Sequence, residues 1–530
     1  HFALGAALHD LGRFDDAVTA YRRVLELEPG HLAARLNLGA LLEIQGKHSE
    51  ALAELAIVES ARPGDPEVDE RIGGTLLAAE RWAEAIERYQ VLVDRNPDNG
   101  GAWLGLGLAY RGAGEPAEAR IAISRAVELE PDSPQAVFQL AMVLTDLAAF
   151  VEAGRLFQQA LALRPDWPEA HFNLGNALRL LGRDAEASAS YRRALALRPA
   201  YEGAHWNLSL SLLRQGRLAE GWEEHEWRWD AALAGGQRRF PQPLWDGAIG
   251  SDLQVLVWRE QGLGDEIMFA SCLPDLIERA GHVIYACHPK LRKLFQRSFP
   301  AVEFWDDLSV VDPSALTVTH HTPVGSLPRF LRQSLDRFPK HTGYLRADPV
   351  RVAHWRERLA ALGTGPWVGI SWRSRLMGSG RAEHYTKLEE WGPILGAAAG
   401  RLNFVNLQYD DCVEELKDAA ARTGVTVHQL PDIDLYNDLD DVAALMSALD
   451  LVLAPDNSVG EQAAALGRPV WRLDSGVDWS TLGTDQRPWQ PSMRLFRRGP
   501  GGQWTDVIHA VARGLNDWAR GLSGGWTHAA

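Results

Sequence analysis

The sequence predicts an α-solenoid followed by an α/β module of two doubly wound domains, and three observations carry that prediction. Prolines recur every 34 residues, at Pro29, Pro63, Pro97, Pro131, Pro165 and Pro199. Past residue 250 the pattern changes to short β-rich apolar runs separated by helical stretches. At that change stands EQGLGDEIMF (260–269), a glycine-containing turn and acidic helix start directly behind the apolar run LQVLVW (253–258).

The 34-residue period is that of tetratricopeptide repeats. In frame with the prolines, Leu-Gly pairs stand at 4–5, 38–39, 106–107 and 174–175, with Ile72-Gly73 and Leu140-Ala141 as near matches. Small residues follow at Ala17, Ala51, Ala85, Ala119, Ala153 and Ala187, and bulky ones at Tyr21, Leu55, Tyr89, Ile123, Phe157 and Tyr191. Two short antiparallel helices need a small residue where they meet, a large one to fill the space beside it, and a proline to stop the second helix. Seven units fit, the first truncated and the last running into GWEEHEWRWD. A chain that begins inside a repeat leads one to expect a native N-terminus further upstream.

Such a TPR superhelix has a concave face suited to a protein or peptide. The residue before each Leu-Gly position reads Ala3, Asn37, Arg71, Gly105, Gln139, Asn173 and Asn207. In this fold that column faces the groove, where Asn37, Asn173 and Asn207 would either pair with an extended acceptor backbone or simply occupy an exposed helix face.

Bulk properties bound the rest. A chain of 530 residues is long enough for two to four domains, and 46% hydrophobic with 23% charged residues is globular composition. A formal charge of −16 gives no electrostatic reason to bind nucleic acid or an anionic membrane. Three cysteines, none in a CxxC, make no disulfide framework or cysteine-rich zinc site, which fits a cytoplasmic setting. No apolar run is long enough to span a bilayer.

GGQRRFPQPLWDG (235–247) reads as the junction. Beyond it, strands are expected at LQVLVW, HVIYAC (282–287) and VEFWD, then at WVGISW (367–372), LNFVNLQY (402–409), VTVHQL (425–430), DLVLAPD (450–456) and RPVWRL (468–473). The expected organisation is a solenoid over 1–232, a junction over 233–250, a first Rossmann-like domain over 251–348, a connector over 349–366, a second Rossmann-like domain over 367–498, and a C-terminal helix and tail over 499–530. Two doubly wound domains place a ligand cleft between the carboxyl ends of their sheets.

The GLGD loop and the later D-N-S-x-x-x-x-A-x-A-L-G-x-P-V pattern resemble GT-B glycosyltransferases of the heptosyltransferase-like type. The layout as a whole resembles bacterial proteins in which tetratricopeptide repeats precede a GT-B module of two Rossmann-like domains. It is also similar to repeat-containing O-linked protein glycosyltransferases, flagellin glycosyltransferases among them. The resemblance implies transfer of a sugar from a nucleotide-sugar donor to a protein Ser or Thr, inverting and metal-independent, with no permanently bound cofactor. Flagellin is one acceptor it suggests. The rival readings are a non-catalytic scaffold with a decayed pocket, and a glycolipid or small-molecule glycosyltransferase.

Site residues follow from both lines of argument. Gly262 and Gly264 permit a tight turn, and Asp265 is placed at a helix start in the cleft, as general base by resemblance or as an ordinary first-turn carboxylate. Glu260 is the alternative base. In LVLAPDNSVGEQAAALG a broken strand leads into a helix at Asn457, Ser458, Val459 and Gly460, whose free amides suit a sugar-nucleotide phosphate. By resemblance Asp456 contacts donor hydroxyls, Ser371 and Arg373 (followed by Arg381 and His384) meet phosphate, and Gln408 and Tyr409 lie by the base or ribose. Tyr409 is equally suited to core packing. Glu461 departs from the family, which has His there, and Ala464 replaces its Gly; an acid beside a diphosphate is expected to repel it.

No metal is expected. DID (432–434) and DLD (438–440) imitate an Asp-x-Asp motif but precede an amphipathic helix, where Asp caps. THH (319–321) reads as a loop at the cleft rim, and Trp479 and Trp489 as seals of domain contacts or sugar-stacking rings.

Overall fold

The computed structural model describes residues 1–229, 238, 240–305, 317–340, 342–375, 384–397, 399–476, 478–499 and 502–522. The chain divides into two compact units, residues 1–178 with 196–198, and residues 179–195 with the described residues from 199 onward.

Helices run in pairs, as the period demands. They are α1 (Phe2–Asp10) and α2 (Phe14–Leu27), α3 (Leu32–Ile44) and α4 (His48–Ala61), α5 (Pro66–Ala78) and α6 (Trp82–Arg95), α7 (Gly100–Gly112) and α8 (Pro116–Leu129). Then follow α9 (Pro134–Asp146) and α10 (Phe150–Leu163), α11 (Pro168–Leu180) and α12 (Asp184–Leu197), α13 (Glu202–Arg214) and α14 (Leu218–His225). In the first unit the small column Ala17, Ala51, Ala85, Ala119 and Ala153 is wholly buried, as are Tyr21, Ile123 and Phe157 of the bulky column. Gly5, Gly39, Gly73 and Gly107 each pack on the bulky residue of their own repeat: a methyl group at Gly73 would come within 2.7 Å of the Tyr89 ring, and one at Gly107 within 2.2 Å of Ile123. Helix pairs can approach this closely only where a side chain is missing.

A second column, unread in the sequence, sets the turn inside each pair. Gly12, Gly46, Gly114, Gly182 and Gly216 are left-handed with φ between 71° and 80°, and Glu80 and Ala148, both at φ 57°, take the same conformation at the same 34-residue spacing.

The second unit contains α13 and α14 as part of its core, so the last repeat of the expected solenoid packs into the α/β portion. Leu213, Leu218 and Trp222 share one apolar cluster with Val255, Val257, Ile267 and Phe269. The Trp222 indole N–H donates to the Arg332 carbonyl at 2.9 Å. The stretch from Gly221 to Trp229 thus lies at the seam with the α/β core.

The α/β portion holds two parallel sheets. The first is built from β1 (Gly250–Trp258), β2 (Ala280–Ala286), β3 (Val302–Trp305) and β4 (His320–Pro323), in the order β3-β2-β1-β4. Its helices are α15 (Leu263–Ala270), α16 (Leu273–Ile277), α17 (Arg292–Ser298) and α18 (Pro328–Leu331). The connecting helix α19 (Pro349–Leu362) is capped by Asp348 and leads to the second sheet. That sheet has β5 (Trp367–Ile370), β6 (Asn403–Asn406), β7 (Val427–His428), β8 (Leu451–Ala454), β9 (Val470–Asp474) and β10 (Met493–Arg497), in the order β7-β6-β5-β8-β9-β10. Helices α20 (Gly392–Gly396), α21 (Val413–Thr423), α22 (Leu439–Ser447), α23 (Ser458–Ala465) and α24 (Trp504–Leu522) accompany it. In both sheets the chain works outward on one side of its first strand and then crosses to the other, giving switch points at β1/β4 and β5/β8.

Two strands escaped the sequence reading. THH is not a loop: His320 and His321 lie on β4, and the buried Trp258 indole donates to His321 at 3.2 Å. Strand β10 forms the far edge, backed by α24 through Val511 and Leu515. The junction is described only in part; its Trp245 is buried in the α/β core.

The left-handed column gives a stability test. Replacing Ala148 or Glu80 by Gly relieves a conformation costing L-residues ~1–2 kcal/mol, against a loss from greater unfolded-chain freedom. Each substitution is expected to raise stability by roughly 0.5–1 kcal/mol in urea titrations. A loss of stability would refute this account of the turn.

Candidate functional site

The carboxyl ends of β1, β5 and β8 open on one cleft of about 1010 Å³, within the second unit. A buried hydrogen-bond chain through Ser371 fixes its second-sheet wall. The Ser371 hydroxyl donates to Gln408 Oε1 at 2.9 Å and accepts from Asn457 Nδ2 at 2.9 Å, tying together the chain segments that leave β5, β6 and β8. Ser371 and Gln408 are 0% and 1% exposed, so they shape the wall rather than touch a ligand. That corrects the expectation that both meet the donor.

Asp265 occupies the first turn of α15 on the facing side. Its carboxylate accepts the Gly262 N–H at 3.2 Å, and Gly262 is the cap residue in extended conformation. The left-handed residue is Gln261, φ 58°, not either glycine. Gly264 serves close approach instead: a Cβ there would lie 3.4 Å from Glu461 Cγ and 3.7 Å from the Ser458 backbone, so its absence lets α15 pack against α23. Burial, reinforced by the charge of Asp456, raises the Asp265 carboxyl to about 7, against the opposing pull of the Gly262 N–H and Arg487. A carboxyl titrating there is matched to accept a proton at neutral pH.

Glu260 is no base. It is buried and held in a fork by Arg228, at 2.7 and 2.9 Å, while its Oε1 also accepts the Gly325 N–H at 2.7 Å.

Helix α23 starts as the sequence suggested. Asn457 caps it by accepting the Gly460 N–H at 3.2 Å, leaving the Ser458 and Val459 amides without an acceptor among the described residues. Glu461 does not confront the cleft as bare negative charge. It is ion-paired to Arg487, lies 3.4 Å from Arg472, and accepts from Gln490 Nε2 at 2.9 Å. Burial pushes its carboxyl up and the two guanidiniums pull it back. Asp456, more than half exposed, is 2.8 Å from Arg472. Burial also opposes ionisation of Asp478, but Arg472, Arg487 and Ser480 outweigh it and hold that carboxyl at about 2.

Arg373 is corrected outright. Its guanidinium points to Asp410 at 3.0 Å and Glu415 at 2.5 Å and does not line the cleft. The cleft cations without an ion pair or side-chain hydrogen bond among the described residues are Arg259, just after β1, and Arg375, two residues beyond Arg373. Arg375 lies 4.8 Å from the ring centre of Tyr436, and the Lys290 amine lies 3.3 Å from the same centre. Tyr436 is 41% exposed and stacks with Tyr409, ring centres 6.3 Å apart. Sequence reasoning missed Arg259, Arg487 and Tyr436; Arg375 stood in the SWRSR segment it flagged. Arg381 lies outside the described residues, while His384 lines the cleft. Trp479 also lines it, and Trp489 is buried edge-on to Trp222 and Phe269.

The remaining candidates have structural duties. Asn37 Nδ2 donates to the Tyr21 hydroxyl at 3.1 Å, and Asn173 Nδ2 to the Glu169 carbonyl at 2.8 Å. One donor of each amide is therefore engaged, Asn37 with the preceding repeat and Asn173 within its own helix, which corrects the expectation of amides held ready for a peptide; Asn207 lies half-buried on α13, in the second unit. Among the Asp-x-Asp residues, Asp432 pairs with Arg358, Asp434 caps the turn at Tyr436 and Asn437, Asp438 caps α22, and Asp440 pairs with Arg297 at 2.6 Å.

With this geometry in place, the relatives are informative. The tetratricopeptide-repeat family profile matches residues 2–66 and 71–134, and a second TPR-repeat profile matches 175–216. The N-terminal region is a TPR solenoid. Protein FlbA of Caulobacter vibrioides is 37% identical over 317 residues, which cover 57% of this chain and 53% of that protein. The chain is similar to that protein and spans about half its length. Among solved structures, a thermophilic TPR protein of Thermus thermophilus is 27% identical over 34% of this chain and 99% of its own, with a TM-score of 0.30. A tetratricopeptide repeat protein of Parabacteroides merdae is 18% identical over 42% of this chain and 88% of its own, with a TM-score of 0.36. No helix among the described residues is long and apolar enough to cross a membrane.

The raised Asp265 carboxyl has a measurable linkage. Its folded value of about 7 exceeds the unfolded one, so its stabilising contribution is complete below about pH 4 and is lost as pH rises through about 7. Asp265→Asn is expected to leave stability at pH 4 nearly unchanged and to raise it at pH 8, with a ceiling of about 4 kcal/mol that solvent access from the cleft reduces. Urea titrations at the two pH values check the sign.

Proposed function

We propose that the chain is a sugar-nucleotide-dependent glycosyltransferase of GT-B architecture, with Asp265 as general base and a protein Ser or Thr as acceptor, recruited by the TPR region. The observation that carries this reading is a carboxyl titrating near 7 in a cleft formed at the switch points of two parallel sheets, facing an open helix N-terminus. In the proposed step the acceptor oxygen bonds to the anomeric carbon as its proton passes to Asp265. The bond from that carbon to the donor phosphate breaks, and its electron pair leaves with the nucleotide. Growing charge on the phosphate is met by the Ser458 and Val459 amides, Arg259 and Arg375, so no metal is invoked.

The donor side of this reading uses the Tyr409–Tyr436 pair as a platform for the base, with Asp456 at the sugar. The matched state of Glu461 removes the chief objection to activity, since an ion-paired carboxylate does not present an uncompensated charge to a diphosphate. Flagellin remains a candidate acceptor on the strength of the sequence resemblance.

Calorimetric titration with UDP, GDP, ADP, CMP and their monophosphate counterparts tests the donor site, and sugar transfer is then followed by mass spectrometry of acceptor protein. Asp265→Asn is expected to retain nucleotide binding and lose transfer by ~10²–10⁴-fold. Tyr436→Ala is expected to weaken nucleotide binding by ~10-fold, the scale of a lost base–ring stack. If no nucleotide binds the wild type, the scaffold reading replaces this one.

A further inference from the structure

The cleft holds Asp265 at the end of a short loop whose anchor lies outside the α/β strands. We propose that Arg228, immediately after the last repeat helix, is a positioning residue for the loop that carries Asp265, so that the repeats form part of the reacting centre's framework. This inference rests on the function proposed above and goes beyond it, because it assigns a role in the reaction to a residue on the repeat side of the chain.

The geometry is specific. The Arg228 guanidinium is wholly buried. Nε donates to Glu260 Oε2 at 2.7 Å and Nη2 to Glu260 Oε1 at 2.9 Å, while Nη2 also donates to Ser326 Oγ at 2.8 Å. Nη1 donates to Glu226 Oε1 at 2.9 Å and to the His225 carbonyl at 3.0 Å. Every nitrogen of the fork is engaged, and the direction of the Glu260 carboxylate is fixed by two parallel bonds.

Glu260 is the residue before Gln261, which holds φ 58°. That conformation is disfavoured for a residue with a Cβ and persists only where both flanks are held. On one flank the Arg228 fork and the Gly325 N–H hold Glu260; on the other the Gly262 N–H is bound to Asp265 itself. Released from Arg228, Gln261 can relax to a right-handed or extended conformation, turning Gly262 and with it the first turn of α15. Stability alone gives little reason for such a buried ion pair, since apolar groups of similar volume commonly serve as well. Fixing one backbone geometry is what the fork does better.

The full-length protein is compared as wild type, Arg228→Lys, and the double variant Arg228→Met with Glu260→Gln, which neutralises the buried Glu260, keeps an acceptor for Gly325 and leaves only the partly exposed Glu226 without its cation. Hydrogen exchange read by mass spectrometry is expected to rise ~10-fold over residues 259–266 in the double variant, less in the Lys variant, with exchange in β6 and β8 and the melting midpoint unchanged. With a panel of UDP-, GDP- and CMP-sugars, kcat for donor turnover is expected to fall ~100-fold at constant KM, and the limb of the pH profile near 7 to move. Unchanged exchange over 259–266, or a rise spread evenly through the unit, overturns the proposal. If the double variant does not fold, Ser326→Ala, which removes one bond of the fork, decides by the same local readout. A wild type that turns over no sugar nucleotide refutes the proposed function but leaves the exchange comparison to judge the positioning role on its own.

Discussion

Burying charge without leaving it unmatched is the constraint around which the second unit is built. Arg228, Arg332, Arg472 and Arg487 are all nearly inaccessible, and each meets a carboxylate: Glu260, Asp275, Asp456 with Asp478, and Glu461 respectively. A lone buried ion of this kind costs several kcal/mol, so removing any single partner leaves a penalty that the fold feels locally. These pairs also connect elements distant in sequence. Arg228 joins the end of the last repeat to the start of the Asp265 loop, and Arg487 joins the loop before β10 to α23.

The same constraint decides which cations face a ligand. Arg373 looks like a phosphate residue in the sequence, yet Asp410 and Glu415 claim it. Arg375, two positions on, lies beside the Tyr436 ring and has no ion pair among the described residues. No local pattern separates the two arginines, because the carboxylates that claim the first lie some forty residues later and come close only once β6 and α21 are in place. Glu260 is the mirror case: the sequence offers it as a second base, and a partner 32 residues earlier removes it from the chemistry.

What the sequence did reveal follows from locality. The repeats were legible because glycine and its bulky partner lie 16 residues apart in one helical hairpin and recur with a fixed period, as at Gly73 with Tyr89 and Gly107 with Ile123. The eight strands that were read are short segments rich in apolar and β-branched or aromatic residues, as strands of largely buried parallel sheets require. Strand β4 was missed because HHTP carries no such run; its inclusion depends on pairing with β1, from His320 with Val255 to Pro323 with Trp258. The packing of the last repeat was hidden for a related reason. The last repeat keeps the helical period while its apolar face, Leu213, Leu218 and Trp222, has been given to the α/β core.

The cleft must also work against the charge of the whole chain. At a formal −16 the protein's far field repels an anionic ligand, and a Debye length of about 8 Å at physiological ionic strength limits that repulsion to close range. Attraction of an anion then falls to groups inside the cleft, among them the amides at the start of α23 and the cations Arg259 and Arg375. Had Glu461 stood unpaired beneath them, it would have cancelled much of their pull. Its partners Arg472 and Arg487 therefore act on a ligand indirectly, by removing an opposing charge. The same two guanidiniums hold Asp478 ionised while Asp265, across the cleft, keeps its proton to about pH 7. Two carboxylates with values pushed this far apart separate a fixed countercharge from a group able to exchange a proton near neutral pH.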